Sequence, residues 1–175
     1  MPRNIEIKAK ITDLSSVQRR VEAIADHGPT ELNQVDTFFN CNDGRLKMRE
    51  FSDASGVLIY YKRPDVAGPR ESVYFVSPTD DPETLKEILN ITNGTLGIVK
   101  KRRLLYLTGQ TRVHLDDVED LGVFVELEVV LREDQTPDDG ATITRDLMKT
   151  LNIAETQLIN TAYFDLLAKN TPDSR

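Results

Sequence analysis

The sequence predicts an α+β fold built mainly from antiparallel strands, and three observations carry that expectation. At least seven segments, with an eighth at 122–131, alternate apolar and polar residues with the period of two that a half-buried strand requires. Turn residues punctuate them at Asp43-Gly44, 53–56, 64–69, Thr108-Gly109 and 120–122. Helical periodicity, in contrast, is confined to a few short stretches. A chain of 175 residues with 39% hydrophobic content suits one domain with a substantial core, expected over about 4–167.

Taken in order, NIEIKAK at 4–10 opens as a strand with Ile5, Ile7 and Ala9 on one face and Asn4, Glu6, Lys8 and Lys10 on the other. Asp13 caps a helix expected to run to about His27, with Leu14, Val17, Val21 and Ile24 on one stripe and Gly28-Pro29 ending it. Strands follow at 34–39, 45–51, 57–63 and 70–76. Asp81-Pro82 starts a second helix through Leu85, Ile88 and Leu89, stopping before Asn93-Gly94. Strands at 99–107, 111–116 and 122–131 precede a third helix over 141–151, and the tail around Leu158 to Leu167 reads as helical or mixed.

The net charge of −7 argues against a non-specific nucleic-acid or anionic-membrane binder, so a basic site has to be local. The single cysteine, Cys41, excludes an intrachain disulfide and suits a reducing compartment. Neither a signal peptide nor an apolar run of spanning length stands out, so a cytoplasmic protein, monomer or homodimer, is expected. Asn90-Ile-Thr and Asn93-Gly-Thr match glycosylation sequons, which read as chance matches without a secretory signal.

The charged faces are more informative. Arg45, Lys47 and Arg49 share one side of their strand, Leu58, Tyr60 and Lys62 oppose Ile59, Tyr61 and Arg63, and Lys101 and Arg103 alternate with Lys100 and Arg102. Farther on, Arg112, His114 and Asp116 oppose Val113 and Leu115, while Glu126 and Glu128 oppose Val125, Leu127 and Val129. An open sheet with a salted, solvated outer face is one reading. A barrel closed around those charges, with the apolar faces packed outward against helices, is the other. Sorting of charge by strand favours the barrel, because solvated faces intersperse signs along each strand. Sorted cations and carboxylates suit a polyanionic, metal-bound ligand, with Lys and Arg on phosphate oxygens and carboxylates on Mg²⁺ or Mn²⁺.

The chain also resembles a known family. Its opening strand is similar to the Glu-x-Glu-x-Lys signature of the CYTH domain, or triphosphate tunnel metalloenzyme, family, with Glu6 and Lys8 present and Asn4 in place of the first carboxylate. The resemblance continues through QVDTFF at 34–39, LKMR at 46–49, YYKRP at 60–64 and KKRR at 100–103. RVHLDDVEDLGVFVELE at 112–128 is its most specific piece, and Tyr163-Phe-Asp-Leu-Leu resembles the closing segment. The chain especially resembles bacterial-type, class IV adenylyl cyclase-like members.

That resemblance implies a closed eight-stranded antiparallel β-barrel with ionic faces inside and helices packed outside. It implies metal ligation by Glu6, Asp116, Glu126 and Glu128, with Mg²⁺ or Mn²⁺ as cofactor. Lys8, Lys47, Arg49, Lys62, Lys101, Arg103 and Arg112 would bind the triphosphate, with Arg70 as an addition. Glu6, Lys8, Arg49, Lys62 and Arg103 would be catalytic. Hydrolysis of inorganic or organic triphosphate is the preferred reaction, since it needs only a bound triphosphate and water. Cyclisation of ATP to cyclic AMP needs a seat for adenine as well, and a non-catalytic polyphosphate- or nucleotide-binding module is a third reading prompted by Asn4.

Other features read as structural. Cys41 sits at a turn as an ordinary thiol, His27 ends a helix and favours its dipole, and His114, on the face of Arg112 and Asp116, reads as a satisfied structural histidine ahead of a proton-transfer group. Phe38 and Tyr60 are expected to face inward, and packing is their simpler role. A glycine-rich phosphate loop, a zinc cluster and a nucleophile elbow are all missing from the sequence.

Overall fold

A strand with one apolar and one ionic face has to satisfy both, and closing the sheet on itself does so at once. The computed structural model, which describes residues 2–170, shows that closure. Its strands are β1 (Arg3–Lys10), β2 (His27–Phe39), β3 (Arg45–Phe51), β4 (Gly56–Lys62), β5 (Arg70–Thr79), β6 (Thr95–Thr108), β7 (Thr111–Val118) and β8 (Gly122–Val130). They join in the order β1-β5-β4-β3-β2-β6-β7-β8, every neighbour antiparallel, and β1 pairs with β5 on one side and β8 on the other. No unpaired edge remains among them.

The outward apolar faces are covered by helices α1 (Leu14–Glu22), α2 (Pro82–Asn93), α3 (Pro137–Leu151) and α4 (Tyr163–Asn170), with a short 3-10 turn at Glu155–Gln157. Ile7 and Ala9 of β1, Leu104 and Tyr106 of β6, Val113 and Leu115 of β7, and Val125 and Leu127 of β8 form one buried cluster with Val17 and Val21 of α1 and Met148 and Leu151 of α3. Burying such side chains contributes roughly 1.5–3 kcal/mol each, enough to hold helices of modest length on the barrel. α2 lies over β2 and β3 but buries no residue fully, and an ion pair from Lys86 to Glu50 (2.8 Å) helps fix it. No helix among the described residues is long and apolar enough to cross a membrane.

Caps fall where the sequence placed them for the first two helices: Asp13 accepts from the Ser16 N–H and Asp81 from the Thr84 N–H. Two expectations are corrected. The first helix ends at Glu22, and His27 is the exposed first residue of β2, paired with Leu107 of β6. Pro29 lacks an N–H, and it is accommodated inside the strand because the β2–β6 register shifts between His27 and Thr30. Beside it Gly28 adopts φ +116°, and an added Cβ there would meet the Leu105 carbonyl oxygen at 2.7 Å. The third helix begins at Pro137, a turn before the expected start, because Thr136 and Asp139 form a reciprocal capping box and Asp138 and Asp139 complement the positive helix end.

The phase of β4 is the third correction. Pairing sets Val57, Ile59 and Tyr61 inward and Leu58, Tyr60 and Lys62 outward. Tyr60 therefore stacks outside against Phe75 at 6.3 Å, and Lys62 reaches the exposed Asp43 at 2.6 Å.

Gly140 sits where α3 crosses β1 most closely: an added Cβ would lie 2.5 Å from Ile5 Cγ1 and 2.7 Å from Leu131 Cδ2. Gly140→Ala would gain about 1 kcal/mol of helix propensity, but overpacking costs about 1–3 kcal/mol. Overpacking should win because Ile5 is itself buried between α3 and the barrel. The expected outcome is a melting temperature lowered by several degrees. An unchanged or raised value would show that Ile5 and Leu131 yield freely.

Candidate active site

Side chains that alternate inward from eight strands converge on a cavity of about 430 Å³ inside the barrel. Its charged lining comprises seven cations, Lys8, Lys47, Arg49, Arg63, Lys101, Arg103 and Arg112, against four carboxylates, Glu6, Asp36, Glu126 and Glu128. By formal charge the lining thus carries an excess of three positive groups within a chain whose net charge is −7.

Four of the cations rise from β3 (Lys47, Arg49) and β6 (Lys101, Arg103), the strands that flank Asp36 of β2. Register places Arg49 opposite Asp36, so both project to the same face of adjacent strands. Asp36 accepts from Arg49 through both oxygens (2.7 Å each), from Lys47 (2.8 Å) and from Lys101 (3.0 Å). Burial alone would raise the Asp36 carboxyl, but Arg49, Lys101 and Lys47 together hold it well below the usual carboxylate range. The same crowding acts on the lysines: burial and the adjacent Arg49 push Lys47 down to about 8, and Lys101 is also lowered.

Carboxylates gather on β1 and β8, beside His114 of β7: Glu6 lies opposite Glu128 and His114 opposite Glu126. His114 Nδ1 is 3.2 Å from Glu126 Oε1 and 4.0 Å from Glu128 Oε1. One donor atom from each of these three residues fits within a span of 4.8 Å. Glu126 also meets Lys8 at 3.4 Å and Arg103 at 3.5 Å. Burial would raise its carboxyl, but Lys8, the His114 bond and Arg103 hold it well below the usual range. Glu128 accepts from Arg112 at 2.8 Å. Glu6 faces Arg63 at 3.1 Å and Arg70 at 3.4 Å. Burial, with Glu126 and Glu128 nearby, nevertheless outweighs Arg63 and Lys8 and raises the Glu6 carboxyl to about 7.

The residues expected from sequence divide accordingly. Glu6, Lys8, Lys47, Arg49, Lys101, Arg103, Arg112, Glu126 and Glu128 all line the one cavity. Lys62 does not; it is exposed on the outer face, and Arg63, one residue on, takes the inward position. Asp116 is fully buried behind the wall, gripped by both arms of Arg103 (2.6 Å each) and by the Tyr163 hydroxyl, which donates to it at 2.8 Å. Arg70 is buried behind Glu6 and also donates to the Val66 carbonyl. Lys10 is exposed beyond Phe124, and the Cys41 thiol meets the carbonyls of Asp43 and Gly44 at the β2–β3 turn. His114, which reads as structural in the sequence, stands among the carboxylates. Sequence reasoning missed Asp36, Arg63 and Tyr163. The inward period of QVDTFF held the signal for Asp36, and Tyr61-Lys62-Arg63 left the choice of inward cation ambiguous.

The two carboxylates of Glu126 and Glu128 suit a hard divalent ion, and the His114 imidazole lies within reach of the same point. The buried Asn4 Oδ1, on the same inward face of β1 as Glu6, makes no hydrogen bond and is a further oxygen donor aimed at the cavity.

A family model for the CYTH domain matches residues 2–163. A Methanocaldococcus jannaschii protein provisionally named an adenylate cyclase is 25% identical over 177 residues, spanning 93% of this chain and 97% of its own. A solved Pyrococcus horikoshii structure superimposes with a TM-score of 0.83 at 24% identity, covering 93% of this chain and 98% of that one. An adenylyl cyclase candidate from Hippeastrum, described as having a dominant triphosphatase activity, matches at a TM-score of 0.68 and 16% identity, over 97% of this chain and 96% of its own.

Glu6 gives a direct test of this electrostatic layout. Its ordinary value is 4.5 and its folded value about 7, so between these the folded state keeps a proton that the unfolded chain releases. The stability this supplies is complete below pH 4.5 and is lost as pH rises through 7. A carbon-13 titration of the Glu6 carboxyl in metal-free protein should show a midpoint near 7, lowered in Glu126→Gln. An ordinary midpoint in the wild type would mean that Arg63 and Lys8 outweigh burial.

Proposed function

Since this chain belongs to the CYTH domain family, we propose that it is a divalent-metal-dependent triphosphatase that holds a triphosphate inside the barrel. The observation that carries this reading is the enclosed excess of three positive charges on a lining of lysines and arginines. Buried cations that share too few carboxylates are costly, and a polyanion relieves that cost. Lys47, Arg49 and Lys101, now converging on Asp36, are placed to turn toward phosphate oxygens, with Arg49 and Arg103 offering bidentate contacts. Lys8, Arg63 and Arg112 extend the cationic lining to the carboxylate side.

Glu126 and Glu128, joined by His114, are the residues proposed to hold Mg²⁺ or Mn²⁺, with Asn4 and Glu6 beside them. A bound ion there would withdraw charge from the phosphoryl oxygens and orient the attacking oxygen. Asp116, engaged by Arg103 and Tyr163, acts as a positioning residue for Arg103. Glu6, with a carboxyl near 7, is suited to accept the proton of an attacking water. Positioning and charge neutralisation are what phosphoryl transfer chiefly requires.

The activity described for the Hippeastrum protein favours hydrolysis, and the name of the M. jannaschii relative keeps cyclisation as the second reading. Assaying tripolyphosphate, thiamine triphosphate and ATP with Mg²⁺ or Mn²⁺ separates the two: orthophosphate release without cyclic AMP is expected. Cyclic AMP from ATP would overturn the hydrolase reading, and no product from any of them would leave a binding module. Glu126→Gln and Glu128→Gln should each lower turnover on the order of 100-fold at limiting metal. Near-normal rates in both would place the ion elsewhere.

Asn4 offers a second, independent check. Replacing its neutral oxygen by a carboxylate adds charge beside the proposed ion, and a direct ligand acts at shorter range than a charge across the cavity. Asn4→Glu should therefore lower the Mn²⁺ concentration for half-maximal rate. An unchanged metal curve would show that Asn4 is no ligand position.

A further inference from the structure

Two cations of the cavity flank one carboxylate. Lys8 meets Oε2 of Glu126 at 3.4 Å, and Arg103 meets Oε1 of the same group at 3.5 Å. Both distances are long for charge-assisted bonds, so Glu126 alone fixes neither cation. Tyr163, at the start of α4, engages both. The Lys8 ammonium lies 3.7 Å over its ring centroid, and its hydroxyl donates to Asp116 at 2.8 Å. Asp116 in turn grips Arg103 through two bonds of 2.6 Å. Lys101 is a third cation near the ring, at 5.9 Å.

The chain leading into α4 is stitched to β1 at the same place. Ala9 bridges to Leu158, and the Ile159 N–H donates to the Lys8 carbonyl at 2.9 Å. Phe124 packs on the tyrosine ring at 4.9 Å, and Ala162 beside it is buried. Backbone bonds and packing thus set the ring against Lys8 with no ligand present.

Packing alone does not call for a tyrosine here. A phenylalanine would fill the same space, as the neighbouring Phe164 does by stacking on Phe38 at 5.5 Å. A buried hydroxyl is costly without a partner, and its partner is a fully buried carboxylate already held by Arg103. The effect of the hydroxyl therefore falls on Asp116 and, through it, on Arg103. Burial strengthens the attraction between an ammonium and a ring face, so the ring is a second hold on Lys8.

We propose that Tyr163 is a positioning residue that sets the Lys8–Arg103 pair around Glu126, its hydroxyl acting on Arg103 through Asp116 and its ring acting on Lys8. One side chain of α4 thereby aligns cations from β1 and β6. This rests on the triphosphatase reading above and adds to it a residue outside the strands. Phosphoryl transfer depends on placement, and misplacing a group by about 1 Å can cost on the order of 100-fold.

Kinetics, calorimetry and NMR test it together. Turnover with Mg²⁺ or Mn²⁺ is divided by the number of sites that bind a non-cleavable imido analogue of tripolyphosphate. Tyr163→Phe keeps the ring and loses the bond to Asp116, and its turnover per site should fall roughly tenfold. The remaining five of the seven lining cations still hold the ligand, so the analogue's Kd should change by less than about threefold. A merely structural tyrosine would lower the number of sites and leave turnover per site unchanged. Adding Tyr163→Phe to Asp116→Ala should slow the enzyme no further, because the hydroxyl then has nothing to act through. In metal-free protein the Lys8 ε-methylene should be shifted upfield by the ring in the wild type and in Tyr163→Phe, and return to its ordinary position in Tyr163→Leu. Wild-type turnover per site in Tyr163→Phe, additive losses in the double variant, or an unshifted Lys8 methylene in the wild type would overturn the proposal and leave the triphosphatase reading intact. A wild type that turns over no triphosphate would sink both.

Discussion

Three buried cations, Lys47, Arg49 and Lys101, share the single carboxylate of Asp36 at the centre of the barrel, and the interior is organised around that imbalance. Desolvating charge is expensive, and a lone carboxylate does not neutralise three cations. The lowered values of Lys47 and Lys101 register the crowding. Only a frame that fixes strand register can hold like charges this close. The outward apolar faces, clamped by α1 and α3, supply that frame. Stability on the outside thus underwrites electrostatic strain on the inside.

Register also explains why the interior is two-sided. Lys47 and Arg49 rise from β3 and Lys101 and Arg103 from β6, on either side of Asp36 of β2. Glu6, Glu126 and Glu128 come from the neighbouring β1 and β8, with His114 of β7 beside them. Arg103 and Lys8 sit at the seam, each touching Glu126. The internal pairs keep the unliganded cavity from collapsing into a field of one sign. Asp116 and Tyr163 brace Arg103 from behind and leave its position fixed whatever occupies the cavity.

Much of this was legible in the sequence, and the failures have physical causes. Alternation gave all eight strands and, where apolar and ionic residues separate cleanly, as in β1, β3, β6, β7 and β8, the inward face as well. In β4 they do not: Tyr60, Tyr61, Lys62 and Arg63 offer an aromatic and a cation to either face, and only pairing with β3 and β5 breaks the tie. Asp36 escaped notice although it shares the inward phase of Phe38, because one carboxylate between Gln34 and Phe38 does not mark that face as ionic. β2 was begun seven residues late, since Gly28-Pro29 reads as a helix stop and a register shift cannot be seen from composition. The role of Tyr163 depends on α4 folding back over the barrel end, a long-range event with no local signature.

The enclosed charge has a consequence for traffic to the cavity. With three positive charges inside and −7 overall, the rest of the chain carries −10, so a distant polyanion meets a repelling surface. Attraction takes over only at the mouth, and a magnesium chelate, with two fewer negative charges, crosses that barrier more easily than the free polyphosphate. Salt shortens the reach of the repulsion, from roughly 30 Å at 0.01 M to 10 Å at 0.1 M. Capture should then quicken with ionic strength while escape quickens too. A protein that draws its ligand by long-range attraction would show slower capture in salt, so here the barrel acts as a sheltered sink and its surface as a filter.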